Sequence, residues 1–199
     1  MLPDAIAEEL KNTGVSIPRH FPEVSILFAD LVDFTTQSAT LEPQVLIDEL
    51  NVLVTAFDRI MEENQCERIK TIGDAYFAVC GMPEANKDHA MHLVKAAVAM
   101  RDWLLKRNPA SAIKWQLRIG VHSGSAVAGI VGTSRYIYDV FGDTVNIASR
   151  MESASSPMEI NISEETWKLL DGRIPCEPRG CLPVKGAQDR SMYWVKSSE

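Results

Sequence analysis

Residues 67–81 read ERIKTIGDAYFAVCG, two short apolar runs on either side of the dipeptide Gly73-Asp74. Glycine supplies the backbone angles of a tight turn and aspartate tolerates them, so this stretch predicts a β-hairpin. Apolar positions step by three and four residues through 43–63 before the hairpin and through about 88–107 after it, which predicts a helix on each side. The hairpin and these two helices form the centre of the predicted fold.

Two further apolar stretches lie outside the helices. VSILFA, residues 24–29, is a near-continuous apolar run of the kind that fills a central strand covered on both faces. From Trp115 to Val121 apolar and polar residues alternate, which predicts a strand with one buried face. The order β-α-β-β-α-β predicts an α+β domain with a ferredoxin-like core, a mostly antiparallel sheet and helices on one side.

The remaining segments are expected to add to this core at its carboxyl end. We expect residues 123–132 to turn the chain back into another strand, and residues 141–151 to form a helix. MEINIS, residues 158–163, predicts a short strand before a helix at 164–170, and the final run MYWV, residues 192–195, predicts an edge strand.

At the amino end, Leu2, Ile6 and Leu10 recur at helical spacing before Gly14. This pattern predicts a short amphipathic helix, either a docked terminal helix or the end of a helical connector. We therefore divide the chain into a connector, residues 1–20, and a main domain, residues 21–199.

The composition is that of a soluble globular protein. The chain has 199 residues, 27 acidic and 20 basic, with a formal net charge of −7; 46% of its residues are hydrophobic and 24% charged. An acidic balance without runs of Lys or Arg argues against a protein that coats nucleic acid or anionic lipid, because these partners favour a basic surface. Nucleotides as small ligands remain open.

The cysteines and the amino-terminal sequence predict a cytoplasmic protein. Cys66, Cys80, Cys176 and Cys181 form no CxxC pair and no zinc-finger spacing, so we expect reduced thiols. The charged amino terminus is not a secretory signal. The longest uncharged stretch, 119–134, contains several glycines and is shorter than the ~20 residues that span a bilayer.

Two aspartates stand at predicted strand ends, Asp30 after VSILFA and Asp74 at the hairpin tip. If neighbouring strands bring them together, their carboxylates repel unless divalent cations neutralise them, as in a two-metal site for phosphoryl chemistry. The alternative is that Asp74 is a turn residue and Asp30 a helix cap. LVDFTT, residues 31–36, adds backbone N–H groups and Thr hydroxyls that can hold a phosphate.

Three further polar residues suit phosphate chemistry. Asn146 and Arg150 are spaced i, i+4 on the predicted helix, so they project from one face, where an amide and a guanidinium can stabilise an oxygen-rich transition state. Alternatively, Arg150 pairs with Glu152 or another surface acid. Lys185 can reach a polyphosphate or remain solvated.

Four segments together resemble the catalytic domain of class III nucleotidyl cyclases, the adenylyl and guanylyl cyclases. The resemblance runs from about Phe21 to Val195 and implies the class III cyclase fold. LPDAIAEELK at the start is also similar to a segment that often precedes these domains, which favours the connector. The four segments are FADLVDFT (28–35), KTIGDAYFAVCG (70–81), YDVFGDTVNIASRME (138–152) and VKG (184–186).

The resemblance implies roles for individual residues. Asp30 and Asp74 would hold two Mg²⁺ or Mn²⁺ ions, with the Leu31 carbonyl as an extra ligand. The ribose 3′-oxygen would attack the α-phosphate of its own nucleotide and expel pyrophosphate. Asn146 and Arg150 would position the ribose and stabilise the pentavalent phosphorus, Lys185 would contact the leaving phosphates, and Phe34 and Thr35 would lie at the phosphate-binding turn.

Lys70 and Asp139 stand at the two positions that the family uses to select the purine. Adenine presents an N6 donor and an N1 acceptor, which match an Asp acceptor and a Lys donor, whereas guanine presents the reverse pattern. Guanylyl cyclases typically carry Glu and Cys at these positions. We therefore expect an adenylyl cyclase that uses ATP; the alternatives are a guanylyl cyclase and a catalytically silent regulatory or dimerisation module.

The resemblance also implies a head-to-tail homodimer with two shared sites, which could belong to a longer, membrane-anchored protein. Asp30 and Asp74 of one subunit would face the nucleotide-binding residues of the other.

Two positions depart from the family pattern. Asp33 replaces the usual glycine, and Glu159 stands where some members carry an arginine for the triphosphate.

Overall fold

The computed structural model describes residues 4–14, 16–132, 136–182 and 190–196. The helices are α1 (Asp4–Thr13), α2 (Phe34–Ser38), α3 (Pro43–Glu63), α4 (His89–Arg107, followed by a 3-10 turn at Asn108–Ala110), α5 (Asp143–Ser153) and α6 (Glu164–Leu170). The strands are β1 (Arg19–Leu31), β2 (Glu67–Ile72), β3 (Ala75–Cys80), β4 (Leu117–Val131), β5 (Ile137–Phe141), β6 (Ile160–Ser163), β7 (Cys176–Leu182) and β8 (Arg190–Val195).

Within the described residues, eight strands form one sheet in the order β2-β3-β1-β4-β6-β8-β7, with β5 paired to β4. All pairs are antiparallel except β4 with β6. The predicted β-α-β-β-α-β core is confirmed as β1, α3, β2, β3, α4 and β4. The short α2 was not among the predicted elements.

Helices lie on both faces of the sheet, so the expectation of helices on one side is wrong. Residues of α3 and α4, such as Leu53 and Met100, pack with Leu27 of β1 in one core cluster. The next residue, Ile26, packs on the other face with Ile6 of α1 and Ala148 of α5. Because side chains alternate across a strand, these two clusters mark opposite faces of the sheet.

Strand β4 runs unbroken for 15 residues where the sequence predicted a turn and a second strand. Its glycines permit close contacts instead of a turn. A Cβ at Gly120 would lie 1.9 Å from the backbone nitrogen of Glu152, and one at Gly124 would lie 2.7 Å from Oγ1 of Thr144. The first turn and the last turn of α5 therefore rest directly on β4.

The two ends of the chain pack on the same body. β8 lies between β6 and β7, so it is an interior strand rather than the predicted edge strand, and β7 forms the edge. At the amino end, Ile6 of α1 is buried and Glu9 forms a 2.6 Å ion pair with Arg19. The boundary between residues 20 and 21 stays a prediction.

Among the described residues, none of the helices combines the length and apolar character needed to cross a bilayer.

A buried network of hydroxyl and imidazole groups joins α4, β1, β4, β6 and α6. We call it the hydroxyl–histidine network. Burial lowers the pKa of His122 to about 4 and also lowers the pKa of His89. Its contacts are His89 Nδ1 to Ser25 Oγ (2.8 Å), Ser25 Oγ to Ser123 Oγ (2.6 Å), Ser123 Oγ to Thr166 Oγ1 (2.9 Å), Thr166 Oγ1 to Ser163 Oγ (3.2 Å) and Ser163 Oγ to His122 Nδ1 (2.7 Å).

Candidate active site

The fold brings Asp30 and Asp74 together, as the sequence suggested. β1 pairs with β3 so that Ala29 faces Tyr76, which places Asp30 beside the turn that carries Asp74. Burial raises the pKa of Asp74 to about 6, and a hydrogen bond to the Asp30 carboxyl and the Asp30 charge add to this shift. Asp74 therefore keeps its proton up to about pH 6, well above the ordinary range of a carboxyl group.

These two residues fit divalent cations. When both carboxyls are ionised, Asp30 Oδ1 is buried without a hydrogen-bond donor from any described residue. Carboxylate oxygens are the ligands that Mg²⁺ and Mn²⁺ prefer. No third His, Cys, Asp or Glu of the described residues completes a cation site, so other donors would be main-chain, water or substrate oxygens. The Leu31 side chain is buried in the core, so only its carbonyl could contribute.

Arg118 on β4 joins this site and was missed by the sequence analysis. Its Nη2 donates to Asp30 Oδ2 at 3.1 Å and its Nε donates to Glu152 Oε1 at 3.0 Å. Burial raises the pKa of Glu152, and the charge of Arg118 opposes this shift. Glu152 therefore pairs with Arg118 and not with Arg150. We call Asp30, Asp74, Arg118 and Glu152 the carboxylate cluster.

Lys70 and Asp139 also meet, although 69 positions separate them. Lys70 Nζ donates to Asp139 Oδ2 at 2.5 Å, and the other Asp139 oxygen accepts the Val140 backbone N–H at 2.9 Å. The pair lies in an open cavity of about 410 Å³. Apolar side chains and Asn146 complete its walls, among them Phe28, Ile72, Phe77, Phe141 and Val145. We call this the base cavity.

The cavity is shaped for a flat apolar ring with a polar edge. Phe28 and Phe77 stack within its wall, with ring centroids 4.7 Å apart and planes 5° apart. The charged pair offers one cationic donor and one anionic acceptor at the same place. A purine satisfies both features, because its faces are apolar and its edge carries nitrogen donors and acceptors.

Asn146 and Arg150 lie on α5, which confirms the predicted helix. Asn146 is exposed and lines the base cavity, whereas Arg150 is half-buried and lies outside its wall. Neither side chain forms a hydrogen bond or ion pair with another described residue. Their polar groups are therefore available to a ligand or to a partner subunit.

The turn that is predicted to bind phosphate is only partly defined by contacts. Phe34 begins α2 and packs on Trp115 with ring centroids 5.8 Å apart, and Thr35 is exposed beside it. Asp33 has a φ of 55°, a conformation that glycine adopts at little cost, which explains why glycine is the usual residue there. Glu159 lies before β6, near Lys196. Lys185 lies outside the described residues.

One chain thus contains two separate groups of candidate residues. The carboxylate cluster holds Asp30 and Asp74, and the base cavity holds Lys70, Asp139 and Asn146. The side chains that line the base cavity do not include the two metal-type aspartates. One group offers carboxylate oxygens that fit cations, and the other offers a cavity whose shape and polar edge fit a purine.

A family model described as the adenylate and guanylate cyclase catalytic domain matches residues 17–197. Receptor-type guanylate cyclase gcy-28 of Caenorhabditis elegans is 36% identical over 202 residues, which cover 98% of this chain and 16% of that protein. Retinal guanylyl cyclase 1 of Rattus norvegicus is 39% identical over 204 residues, which cover 98% of this chain and 18% of that protein. The chain therefore spans less than a fifth of the length of these two relatives.

Solved structures show the same fold. The guanylate cyclase domain of RhGC from Catenaria anguillulae, in complex with GTP, has a TM-score of 0.87 and 32% identity, covering 91% of this chain and 100% of that one. A rhodopsin-guanylyl cyclase core with converted specificity, in complex with ATPαS, has a TM-score of 0.87 and 33% identity, covering 92% and 100%. Adenylyl cyclase CyaB from P. aeruginosa has a TM-score of 0.87 and 30% identity, covering 92% and 98%.

Proposed function

Because the chain belongs to the family of adenylate and guanylate cyclase catalytic domains, we propose that it converts ATP to 3′,5′-cyclic AMP and pyrophosphate. The Lys70–Asp139 pair in the base cavity carries this proposal. Lys70 has the hydrogens to donate to adenine N1, and Asp139 has the oxygens to accept from the N6 amino group. Guanine carries a donor at N1 and an acceptor at O6, so it would leave both charged groups unpaired, which costs binding energy.

A guanylyl cyclase is the second candidate, because the two relatives compared above are guanylyl cyclases. Identity over about 200 residues reports the shared scaffold, whereas base choice depends on the few side chains that reach the purine edge. The rhodopsin-guanylyl cyclase core with converted specificity holds ATPαS at a TM-score of 0.87 to this chain. The same scaffold therefore accommodates an adenine nucleotide, and we give the local pair more weight.

The residues of this chain supply the remaining parts of the reaction. Asp30 and Asp74 would hold two Mg²⁺ or Mn²⁺ ions against the triphosphate. Divalent cations in such a site lower the pKa of the ribose 3′-hydroxyl and neutralise charge on the phosphate. Asn146 would orient the ribose, and Arg150 and Lys185 would stabilise the charge that develops on the phosphoryl oxygens. Positioning and electrostatics then drive the reaction without a protein nucleophile.

We propose further that the enzyme acts as a head-to-tail homodimer. Val127 faces Phe141 and Val131 faces Ile137 across the β4–β5 pair, on the same side as Asp139. All four apolar side chains are exposed in the single chain, with Ile137 at 56%. An apolar patch beside the base cavity is suited to burial by a second subunit. That subunit would place its carboxylate cluster over the base cavity and complete the site.

A direct assay tests base choice. The protein is incubated with Mn²⁺ and either ATP or GTP at equal concentration, and the products are separated by chromatography and identified by mass. We expect cyclic AMP, with ATP preferred at least about 100-fold. Cyclic GMP as the main product would establish the second candidate. No cyclic product from either nucleotide would indicate the catalytically silent module.

A mixing experiment tests the shared sites. Asp30→Ala and Arg150→Ala proteins are each expected to be inactive, because each lacks one half of both sites. Half of the dimers in an equal mixture are mixed, and each mixed dimer has one intact site of two, so activity should recover to about a quarter of wild type. Dimer formation is checked by sedimentation. Absence of recovery in dimers that do exchange subunits would refute shared sites.

We also propose that the domain works on the cytoplasmic side of a longer protein. The relatives compared above include a receptor-type cyclase, which this chain covers only in part. Nucleoside triphosphates are the substrates of this family, so we place the site in the cytoplasm. Fractionation of cells that express the full-length protein, with an antibody to this domain, tests this location.

A further inference from the structure

Two cysteines face each other at the base of the β2–β3 hairpin. Glu67 pairs with Val79 in the hairpin, so the next position outward sets Cys66 opposite Cys80. Both side chains belong to the same core cluster and therefore point to the same face of the sheet. Opposite residues in an antiparallel pair have Cα atoms about 4.5 to 5.5 Å apart, which lies within the range that a disulfide spans.

The two thiols lie beside each other and each bonds to the chain. Cys66 Sγ donates to the Asn64 carbonyl at 3.3 Å, and Cys80 Sγ donates to the Gln65 carbonyl at 3.3 Å. When Cys80 loses its proton, Cys66 can donate to it instead, which lowers the pKa of Cys80 and raises the pKa of Cys66. Asn86 Nδ2 lies 3.9 Å from Cys80 Sγ, where it can stabilise a thiolate.

The buried pair borders an open groove, from which a small oxidant would enter. Cys66 lines a groove of about 1300 Å³ together with Gln65, Gly81 and Asn86. Cys80 lies behind it and is fully buried. Cys176 and Cys181 lie on β7 at the far edge of the sheet, so they offer matched thiols outside the pair.

We propose that Cys66 and Cys80 form an oxidative modification site, which hydrogen peroxide or an organic hydroperoxide converts to an intramolecular disulfide. The Cys80 thiolate attacks one peroxide oxygen to give a sulfenic acid, and the other oxygen leaves as water after taking up the proton that Cys80 lost. The Cys66 sulfur then attacks the Cys80 sulfur and gives up its own proton, the S–S bond forms, and the departing hydroxide takes up that proton. Two thiols and one hydrogen peroxide thus give one disulfide and two waters.

The disulfide would close the hairpin that carries Lys70 and Asp74. The bond would join the residue before β2 to the last residue of β3, so the hairpin could no longer fray at its open end. The inference rests on the geometry of the thiols and not on the proposed cyclase activity. It therefore goes beyond that activity and can fail or hold independently of it.

The experiment uses the whole chain and needs no substrate. Reduced protein is treated with equimolar hydrogen peroxide and then unfolded in denaturant with N-ethylmaleimide, so that every free thiol reacts, and its intact mass is measured. We expect two of the four cysteines to escape alkylation and the mass to fall by about 2 Da before alkylation. A non-reducing digest should yield the 66–80 cross-linked peptide, and dithiothreitol should remove it.

Stability gives a second readout. Closing a loop of about 15 residues should raise the Tm by about 5 to 10 °C on oxidation. Cys66→Ser and Cys80→Ser should each abolish the disulfide and the Tm rise, while Cys176→Ser/Cys181→Ser should keep both. Mapping in the wild-type protein does not depend on how the serine variants fold. Alkylation of all four thiols, or a disulfide that maps to Cys176 or Cys181, would overturn the proposal.

Discussion

The carboxylate cluster and the hydroxyl–histidine network are both polar groups set into an apolar sheet, but their charges are arranged in opposite ways. In the network each hydroxyl and imidazole has a partner between 2.6 and 3.2 Å, and every member is buried. In the cluster two carboxyls crowd together, and once Asp74 is ionised Asp30 Oδ1 has no hydrogen-bond donor among the described residues.

This difference separates a structural polar cluster from a reactive one. A network of paired neutral groups stabilises one packing and offers nothing to a ligand. Crowded like charges with an unused acceptor destabilise the free protein and are relieved when a cation binds. Four predictions test this distinction, in order of expected effect.

Asp74→Asn should abolish catalysis while stabilising the free protein. The amide cannot replace the carboxylate as a cation ligand, so turnover should fall by about 1000-fold. Because the raised pKa of Asp74 means that its ionised form is disfavoured in the fold, the metal-free Tm at pH 7 should rise. Asp48→Asn on α3, whose carboxylate accepts from Gln44, is the control and should change neither. A metal-free Tm that falls in Asp74→Asn would contradict the crowding argument.

Lys70→Glu combined with Asp139→Cys should shift base choice from ATP toward GTP. The exchange reverses the donor and acceptor presented to the purine, so the ratio of kcat/KM values for the two nucleotides should change by about 100-fold. Circular dichroism and sedimentation check that the fold and dimer persist. Unchanged ATP selectivity would show that these positions do not read the base.

Acid should destabilise the protein through His122, in the hydroxyl–histidine network. Burial holds its pKa at about 4, against an ordinary value of 6.5; Glu165, Arg190 and Asp143 face it. Between pH 6.5 and pH 4 the unfolded chain therefore binds a proton at His122 that the folded chain does not bind. The contribution of His122 to the free energy of unfolding is fully present above pH 6.5 and is lost as the pH falls toward 4.

Denaturant unfolding at pH 7 and pH 5 measures this effect. His122 should account for about 2 kcal/mol of the loss. His122→Asn keeps a side-chain group that can hydrogen-bond to Ser163 but does not titrate. The free energy of unfolding of this variant should therefore fall by that much less between pH 7 and pH 5. Equal pH dependence in both proteins would assign the acid sensitivity to other groups.

Arg118→Gln should tighten cation binding and weaken the fold. Removing the guanidinium withdraws a positive charge from Asp30, so the Kd for Mn²⁺ should fall about 5- to 10-fold. Glu152 loses a buried ionic partner, so the free energy of unfolding should drop by about 1 to 2 kcal/mol. Calorimetric titration with Mn²⁺ measures the Kd, and denaturant unfolding measures the free energy of unfolding. Arg59→Gln, which removes an exposed i, i+4 pair with Glu63, is the control. Weaker Mn²⁺ binding in Arg118→Gln would mean that Arg118 organises the site rather than competing for it.

The sequence predicted the core well, because its signals are local. The Gly73-Asp74 turn and the helical periodicity of 43–63 and 88–107 each depend on neighbours within a few residues. The β4 strand was misread for the same reason. Gly124 and Gly129, within the predicted turn at 123–132, look like turn residues in sequence, and only the position of α5 in space shows that Gly124 permits close packing.

The candidate site residues show the same contrast between local sequence signals and contacts that only the fold creates. Asp30 and Asp74 could be proposed as a pair because each marks a strand end, and the hairpin places one end beside the other. Arg118 could not, because its contact with Asp30 depends on the register between β1 and β4, 88 positions apart in the chain. Alternation marked Arg118 as a polar position on a strand but gave no sign of which residue it would face.

Gly120 limits how this domain can change over evolutionary time. Any side chain there would collide with the backbone of Met151 and Glu152 and push the end of α5 away from β4. Asn146 and Arg150 would move with the helix, while the strands and the other helices could stay in place. A descendant that loses this glycine would therefore keep a recognisable fold and lose its chemistry, so a single substitution could separate an enzyme lineage from an inert one.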